Sequence, residues 1–216
     1  MDETVLKELI EELENMGYDI HDAEVWYNLG SELYNSNHLT EAETSFRQSI
    51  NLDPSNAQAW CDLGATLFLQ NRFDEAESAF RGGLENDNED SDIWYNLGCV
   101  YNVIDRLDDA VIAFRRATEL NPSNADAWAN LGVVLSSVGE IQQAEEVLRE
   151  SIKIHPEHYV GWLNLISLLY REGRIKEAGE THKHASEIIP DFDTYTDDLH
   201  EFIEKASDDT ELNSKK

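Results

Sequence analysis

Apolar residues recur along the chain in short stretches with a helical period. Trp94, Leu97, Gly98 and Tyr101 fall on one face, the i, i+3, i+4, i+7 spacing of a helix with one side against a core. A second such stretch follows, apolar at Leu107, Val111, Phe114 and Leu120. Asp105 stands between the two, and Asn37, Asn71, Gly139 and Gly173 hold the equivalent places elsewhere. Asn, Asp and Gly best tolerate the left-handed backbone that ends a helix. The segments DPSNA and NPSNA read as a break followed by a fresh N-cap, because Pro cannot continue a helix and Asn caps one well.

The pattern repeats on a fixed grid. Trp occurs at Trp26, Trp60, Trp94, Trp128 and Trp162 and nowhere else, always 34 residues apart. Pro54, Pro122, Pro156 and Pro190 lie on the same grid, with Asn88 in the vacant slot. Gly30, Gly64, Gly98 and Gly132 form another column, ended by Ile166. Ala42, Ala76, Ala110, Ala144 and Ala178 complete a third without exception. A fourth runs Phe46, Phe80, Phe114, Leu148 and then His182. These columns predict that Gly98 meets Ala110 where two helices approach most closely, while Trp94 and Phe114 fill the wider gap. One helix pair cannot bury such a face alone, so neighbouring pairs must stack into a shared core.

W-x2-L-G-x2-Y, followed by Ala, Phe and Pro on a 34-residue period, resembles the tetratricopeptide repeat. The resemblance covers 23–192 as five units: 23–56, 57–90, 91–124, 125–158 and 159–192. It implies an all-α fold, a right-handed superhelical solenoid of antiparallel helix pairs with terminal capping helices. It also implies a protein that binds peptides or other proteins. The fifth unit departs from the pattern at Ile166, Gly179 and His182, so its helix pair is expected to sit wider.

The ends differ from the repeats. Residues 1–22 predict an acidic amphipathic helix with Val5, Leu6, Leu9, Ile10, Leu13 and Met16 on one stripe and Gly17 as its stop. Three roles stay open for it: an N-terminal cap, a dimer contact, or a segment folded back into the protein's own groove. Residues 193–206 continue the grid for half a unit and predict a C-terminal capping helix, apolar at Leu199 and Ile203. Residues 207–216 are expected to be disordered.

Charge narrows the choice of partner. The chain carries 45 acidic against 16 basic side chains, a formal net charge of −29. Such a field repels nucleic acid and anionic lipid. It suits either solvation in a salty cytoplasm or a basic partner. No apolar run reaches the ~18 residues of a membrane span, and the N-terminus has no secretory pattern. Cys61 and Cys99 form neither a disulfide framework nor a metal spacing, so a reducing cytoplasm is the expected compartment and two unrelated free thiols the expected chemistry.

The residues left for function lie opposite the core. On a helical wheel of about 100° per residue, the position two after each Trp falls at about 200°. That column holds Asn28, Asp62, Asn96, Asn130 and Asn164. Core packing does not explain it, and helix propensity does not favour Asn. A carboxamide both donates and accepts, so a row of them can hold the backbone of an extended peptide. The competing reading is a helix-to-helix hydrogen bond. Tyr27 and Tyr95 share the face and offer rigid amphipathic contact area. In the resembled family the first helices line the concave surface. Its members that clamp acidic chaperone tails use slots filled here by Tyr27, Ser31, Asp62, Asp92 and Asn96. Two Asp among them favour a neutral or basic peptide instead.

The chain has no phosphate-cradling Gly loop, no GxSxG and no HExxH, so no enzyme, cofactor or metal is expected. His182 and His184 diverge on one helix, and His182 occupies a core column. The sequence therefore points to a non-catalytic module with a peptide-binding groove at Tyr27, Asn28, Asp62, Tyr95, Asn96, Asn130 and Asn164. Its partner would be a protein or peptide, with no nucleic acid and no membrane. The alternative is an assembly scaffold that self-associates through its convex face or termini.

Overall fold

The computed structural model describes residues 3–195. The tail expected at 207–216, and all but the first residues of the capping helix expected at 193–206, lie outside the described residues. Helix α1 spans Glu3–Met16, α2 Ala23–Asn35, α3 Leu39–Leu52, α4 Ala57–Leu69, α5 Phe73–Asn86 and α6 Ser91–Val103. Then come α7 Leu107–Leu120, α8 Ala125–Ser137, α9 Ile141–Ile154, α10 Tyr159–Arg171 and α11 Ile175–Ile188, followed by a 3-10 turn at Phe192–Tyr195. The described residues contain no strand, so the fold is all-α and of the expected helix-pair solenoid class. Helices α1–α6 form one compact unit ending at Arg106, and α7–α11 form a second beginning at Leu107.

Within the first unit α2 pairs with α3 and α4 with α5, and α2, α4 and α6 stack on one another. In the second, α8 pairs with α9, α10 with α11, and α8 stacks on α10. The turns inside the pairs have one construction. Asn37, Asn71, Asp105, Gly139 and Gly173 all take positive φ, between 60° and 87°. The next residue then donates its N–H back into the helix just ended: His38 to Leu33, Arg72 to Leu67, Arg106 to Tyr101, Glu140 to Leu135 and Arg174 to Leu169, at 2.8–2.9 Å. This left-handed closure satisfies carbonyls that would otherwise lack partners. Asp22, Asn56, Asp90 and Asn124 cap the first helices of four repeats through their side chains. His158 replaces them before α10 and makes no such bond.

The glycine column lies first against the large side chains of the second helix. A Cβ on Gly30 would stand 2.7 Å from the Phe46 ring, one on Gly64 2.6 Å from Phe80, and one on Gly132 2.5 Å from Leu148. Glycine thus lets a large side chain of the second helix lie directly on the backbone of the first. The alanine column is fully buried, as expected, and at Gly132 the Ala144 carbonyl lies 3.3 Å from the same Cβ position.

Tryptophan also plays a different part. Trp26 and Trp162 are buried, whereas Trp60, Trp94 and Trp128 are only partly so. Every indole N–H donates to the carbonyl six residues earlier: Ile20, Pro54, Asn88, Pro122 and Pro156, at 2.8–3.0 Å. The Trp and Pro columns therefore work together. Proline breaks the preceding helix, and tryptophan pins that break to the helix that follows.

The fifth repeat is built differently. Ile166 is fully buried where the others place glycine, and α10 and α11 approach less closely than the earlier pairs. The branched side chain occupies the space that close contact would need. His182 is buried in the Phe column with its ring 5.5 Å from Phe192. At the other end, α1 lays Leu9 and Leu13 against Trp26, with Val25, Leu29 and Leu33 around them.

Candidate functional site

The first helix of each repeat sorts its side chains into columns. The residue before Trp is fully buried at Ala59, Ile93 and Ala127. Two residues after Trp, Asn28 is exposed, while Asp62, Asn96, Asn130 and Asn164 are partly buried. No residue of that column is in the core.

In the first unit this face is cross-linked. The Tyr27 hydroxyl donates to Asp62 Oδ2 at 3.0 Å, and Gln58 Nε2 donates to Asp62 Oδ1 at 3.1 Å. Asn96 Nδ2 points to Cys61 Sγ at 3.7 Å. Both links join the position just after Trp in one repeat to the position two after Trp in the next. Here, then, the helix-to-helix bond left open by the sequence is present. Burial raises the Asp62 carboxyl above the usual range, against the lowering effect of its two donors. Burial also raises Tyr27, assisted by the Asp62 charge. The Cys61 thiol is pushed up to about 12, by burial first and then by the charge of Asp62. Both cysteines are free thiols, and Cys61 is linked to the face through Asn96 rather than standing apart.

The second unit carries Asn130 and Asn164. Asn164 lines a cavity of about 100 Å³ with Ser136, Ser167 and Arg171. Arg171 Nη1 donates to Ser136 Oγ at 3.3 Å, another link between consecutive first helices. Near the start of α10, the rings of His155 and His158 stack at 5.4 Å, and His158 Nδ1 stands 3.5 Å from Asp126. No cluster of three or more metal-ligating side chains occurs among the described residues.

Charge is segregated between helices. Helices α2, α4 and α6 contain Glu24, Glu32, Asp62 and Asp92 but no Lys or Arg. Apart from Arg171 at the end of α10, the arginines stand on the second helices and the turns before them. Arg72 pairs with Glu43 at 2.5 Å, Arg106 with Glu77 at 2.8 Å and Arg174 with Glu145 at 2.5 Å, each reaching back to the preceding repeat. Arg106 also lies 4.4 Å over the Tyr101 ring. Burial opposes the charge of Glu43, yet bonds from Arg72 and Arg47 outweigh it and lower that carboxyl. Val111 and Glu140 occupy the corresponding slots at the remaining junction, where Arg115 reaches Gln143 instead. These Glu and Arg columns lie on the same 34-residue grid, where their spacing alone is the signal for them.

Two further features escaped the sequence reading. Leu69 and Val103 end α4 and α6 about half exposed. Nine residues after Trp, they fall at about 180° on the wheel, beside the Asn column. Between α1 and α2 lies a cleft of about 470 Å³, and Asn28 is on its wall. No helix among the described residues is long and apolar enough to cross a membrane.

Stacked helix pairs closed by glycine against a large side chain, with a polar, cation-poor face on the first helices, define a helical-repeat protein. Residues 16–121 match the model of the cilia and flagella-associated protein 70 middle TPR-like domain, and residues 113–146 match the tetratricopeptide repeat model itself. The chain belongs to the tetratricopeptide-repeat family. No curated protein sequence matches it significantly. Among solved structures, MamA is similar with a TM-score of 0.70 and 25% identity, over 76% of this chain and 90% of MamA. YrrB, described as a TPR protein with an unusual peptide-binding site, is similar with a TM-score of 0.68 and 25% identity, over 86% of this chain and 93% of YrrB. PilF of Pseudomonas aeruginosa shares the fold at 0.69 and 21% identity, over 76% and 75%.

Proposed function

We propose that this chain is a non-catalytic interaction module that takes an extended neutral or basic peptide on the face of α2, α4 and α6. The observation that carries this is the absence of any Lys or Arg from those three helices, which hold four carboxylates. A cationic peptide meets no like charge on that face, and an anionic one meets only repulsion. Tyr27, Asp62, Tyr95 and Asn96 supply the polar contacts, and Leu69 with Val103 the apolar ones. Asp62 already accepts from Tyr27 and Gln58, which fixes its orientation while its remaining lone pairs can accept from a ligand. Asn28 stands at one end of the face. Asn130 and Asn164 extend the same chemistry to the first helices of the second unit. That YrrB has a peptide-binding site on this fold supports the assignment.

The test is fluorescence anisotropy with labelled, Pro-containing peptides that cannot form helix and that carry Lys, uncharged residues or Glu. Affinity should fall in that order. The double variant Asp62→Lys, Asp92→Lys should weaken the Lys peptide by about tenfold or more, roughly 1.4 kcal/mol. Equal binding of the Glu peptide, or an unchanged affinity in the double variant, would sink the reading.

A further inference from the structure

The first repeat lacks a neighbour that the others have. In α4 and α6, the side of the helix turned toward the preceding repeat is closed: Ala59, Thr66, Ile93 and Val100 are all fully buried. The corresponding residues of α2 are Val25, only partly buried, and Glu32, exposed. Helix α1 does not fill this place. Its backbone approaches α3 more closely than α2, and its Leu9 and Leu13 cover Trp26. What remains between α1 and α2 is the cleft of about 470 Å³, floored by Leu13, Leu29 and Leu33. Met16 and Tyr18 stand at its mouth, 62% and 51% exposed.

The rim of the cleft is acidic. Glu12 of α1 and Glu32 of α2 both line it, and both are exposed. No Lys or Arg lines it. The shape is that left by a missing first helix of a repeat, and the charge selects what can fill it. The chain's own segment 193–206, with five acidic residues against one Lys, is repelled. A second copy carrying −29 is disfavoured on the same ground.

We propose that this cleft docks a short amphipathic helix of a partner protein, apolar along one stripe and bearing Lys or Arg beside it. The apolar stripe takes the place of a preceding first helix against Leu29 and Leu33, and the cations meet Glu12 and Glu32. This is helix-in-groove recognition. Asn28 and Glu32 border both this cleft and the extended-peptide face proposed above, but Glu12, Leu13 and Met16 belong to the cleft alone.

The experiment uses the full chain and three labelled peptides in fluorescence anisotropy: a Leu/Lys amphipathic helix, its Leu/Glu counterpart, and a scrambled Leu/Lys peptide of the same composition. The amphipathic Lys helix should bind about tenfold or more tighter than either other peptide. Glu12→Lys and Met16→Asp should each weaken it severalfold, at unchanged helicity by circular dichroism. Asp62→Lys with Asp92→Lys should leave it unchanged, while the Pro-containing Lys peptide should show the reverse dependence, so the two proposals fail separately. Equal binding of the scrambled peptide overturns the inference, as does loss of binding in the Asp62, Asp92 variant alone. Tighter binding after deletion of 196–216 would mean the cleft is filled from within. A concentration-dependent dimer abolished by Met16→Asp would mean a second copy fills it.

Discussion

The second and fifth repeats solve one packing problem in two ways. In the second, Gly64 lets the Phe80 ring rest on the helix backbone, and Phe80 is 1% exposed. In the fifth, Ile166 fills that space itself, the ring opposite shrinks to His182, and Phe192 from beyond α11 closes the side. The first solution is local and can be copied from repeat to repeat. The second uses Phe192, the last residue of the unit, in the slot that Asn56, Asp90 and Asn124 use to cap a following helix, so it does not suit a repeat that another follows. The fifth repeat differs not by decay of a consensus but by exchanging a close helix approach and a cap for an apolar side chain.

Substitutions at the two sites separate these solutions. Phe80→Ala should cost about 3–5 kcal/mol in urea unfolding, as for other large aromatic deletions, and His182→Ala less, about 1–3 kcal/mol. Equal costs would mean that the ring size is immaterial. Gly64→Ala should come next. Its Cβ would overlap the Phe80 ring, which typically costs about 1–3 kcal/mol, partly offset by about 1 kcal/mol of helix propensity. Ile166→Val, where room is not limiting, should cost about 0.5–1.5 kcal/mol. Hydrogen exchange resolved by segment would show whether each loss stays within its repeat.

Smaller effects test the polar links. Arg72→Met should cost up to about 1 kcal/mol, since the pair with Glu43 is partly exposed and Arg47 still reaches that carboxylate. Asp62→Asn should raise stability at neutral pH. Burial raises the Asp62 carboxyl, so its protonated form is favoured in the fold and its charge is disfavoured once pH rises through that raised value. The gain from Asn should therefore fade as the pH is lowered, a trend read from melting temperatures across an acid-to-neutral series. A gain that grew in acid would reverse the argument. At the small end, the Cys61 thiol at about 12 should resist alkylation at pH 8 in the native chain and react once unfolded, as mass spectrometry would show.

Much of this was readable in the sequence, because backbone requirements recur on a grid. The left-handed positions from Asn37 to Gly173 announced themselves by residue type, and so did the widened fifth pair at Ile166. Small columns suggest mutual contact, which Gly132 makes with the Ala144 backbone, but they do not show that glycine chiefly makes room for the large side chain opposite. A tryptophan column on an apolar face reads as core, yet each indole N–H needs an acceptor, and Pro on the same grid marks where it is. For the candidate site, the wheel placed the Asn column off the core. It could not see that Asp62 and Asn96 join neighbouring helices, since that depends on what Tyr27 and Cys61 present one repeat earlier. The cleft beside α2 was invisible for a related reason: only packing shows where α1 does not reach.

The arginine after three of the five left-handed turns ties two scales together. Its backbone N–H ends one helix, and its side chain holds the repeat before. In an array whose stability comes from nearest-neighbour terms, such a residue is a coupling constant as much as a contact. The couplings run Glu43 to Arg72, Glu77 to Arg106 and Glu145 to Arg174, while at the third-to-fourth junction Arg115 on α7 reaches forward to Gln143 and Glu140 instead. The same coupling is thus made from the opposite side at that one place, so deleting a turn arginine should loosen its own junction and leave that one untouched.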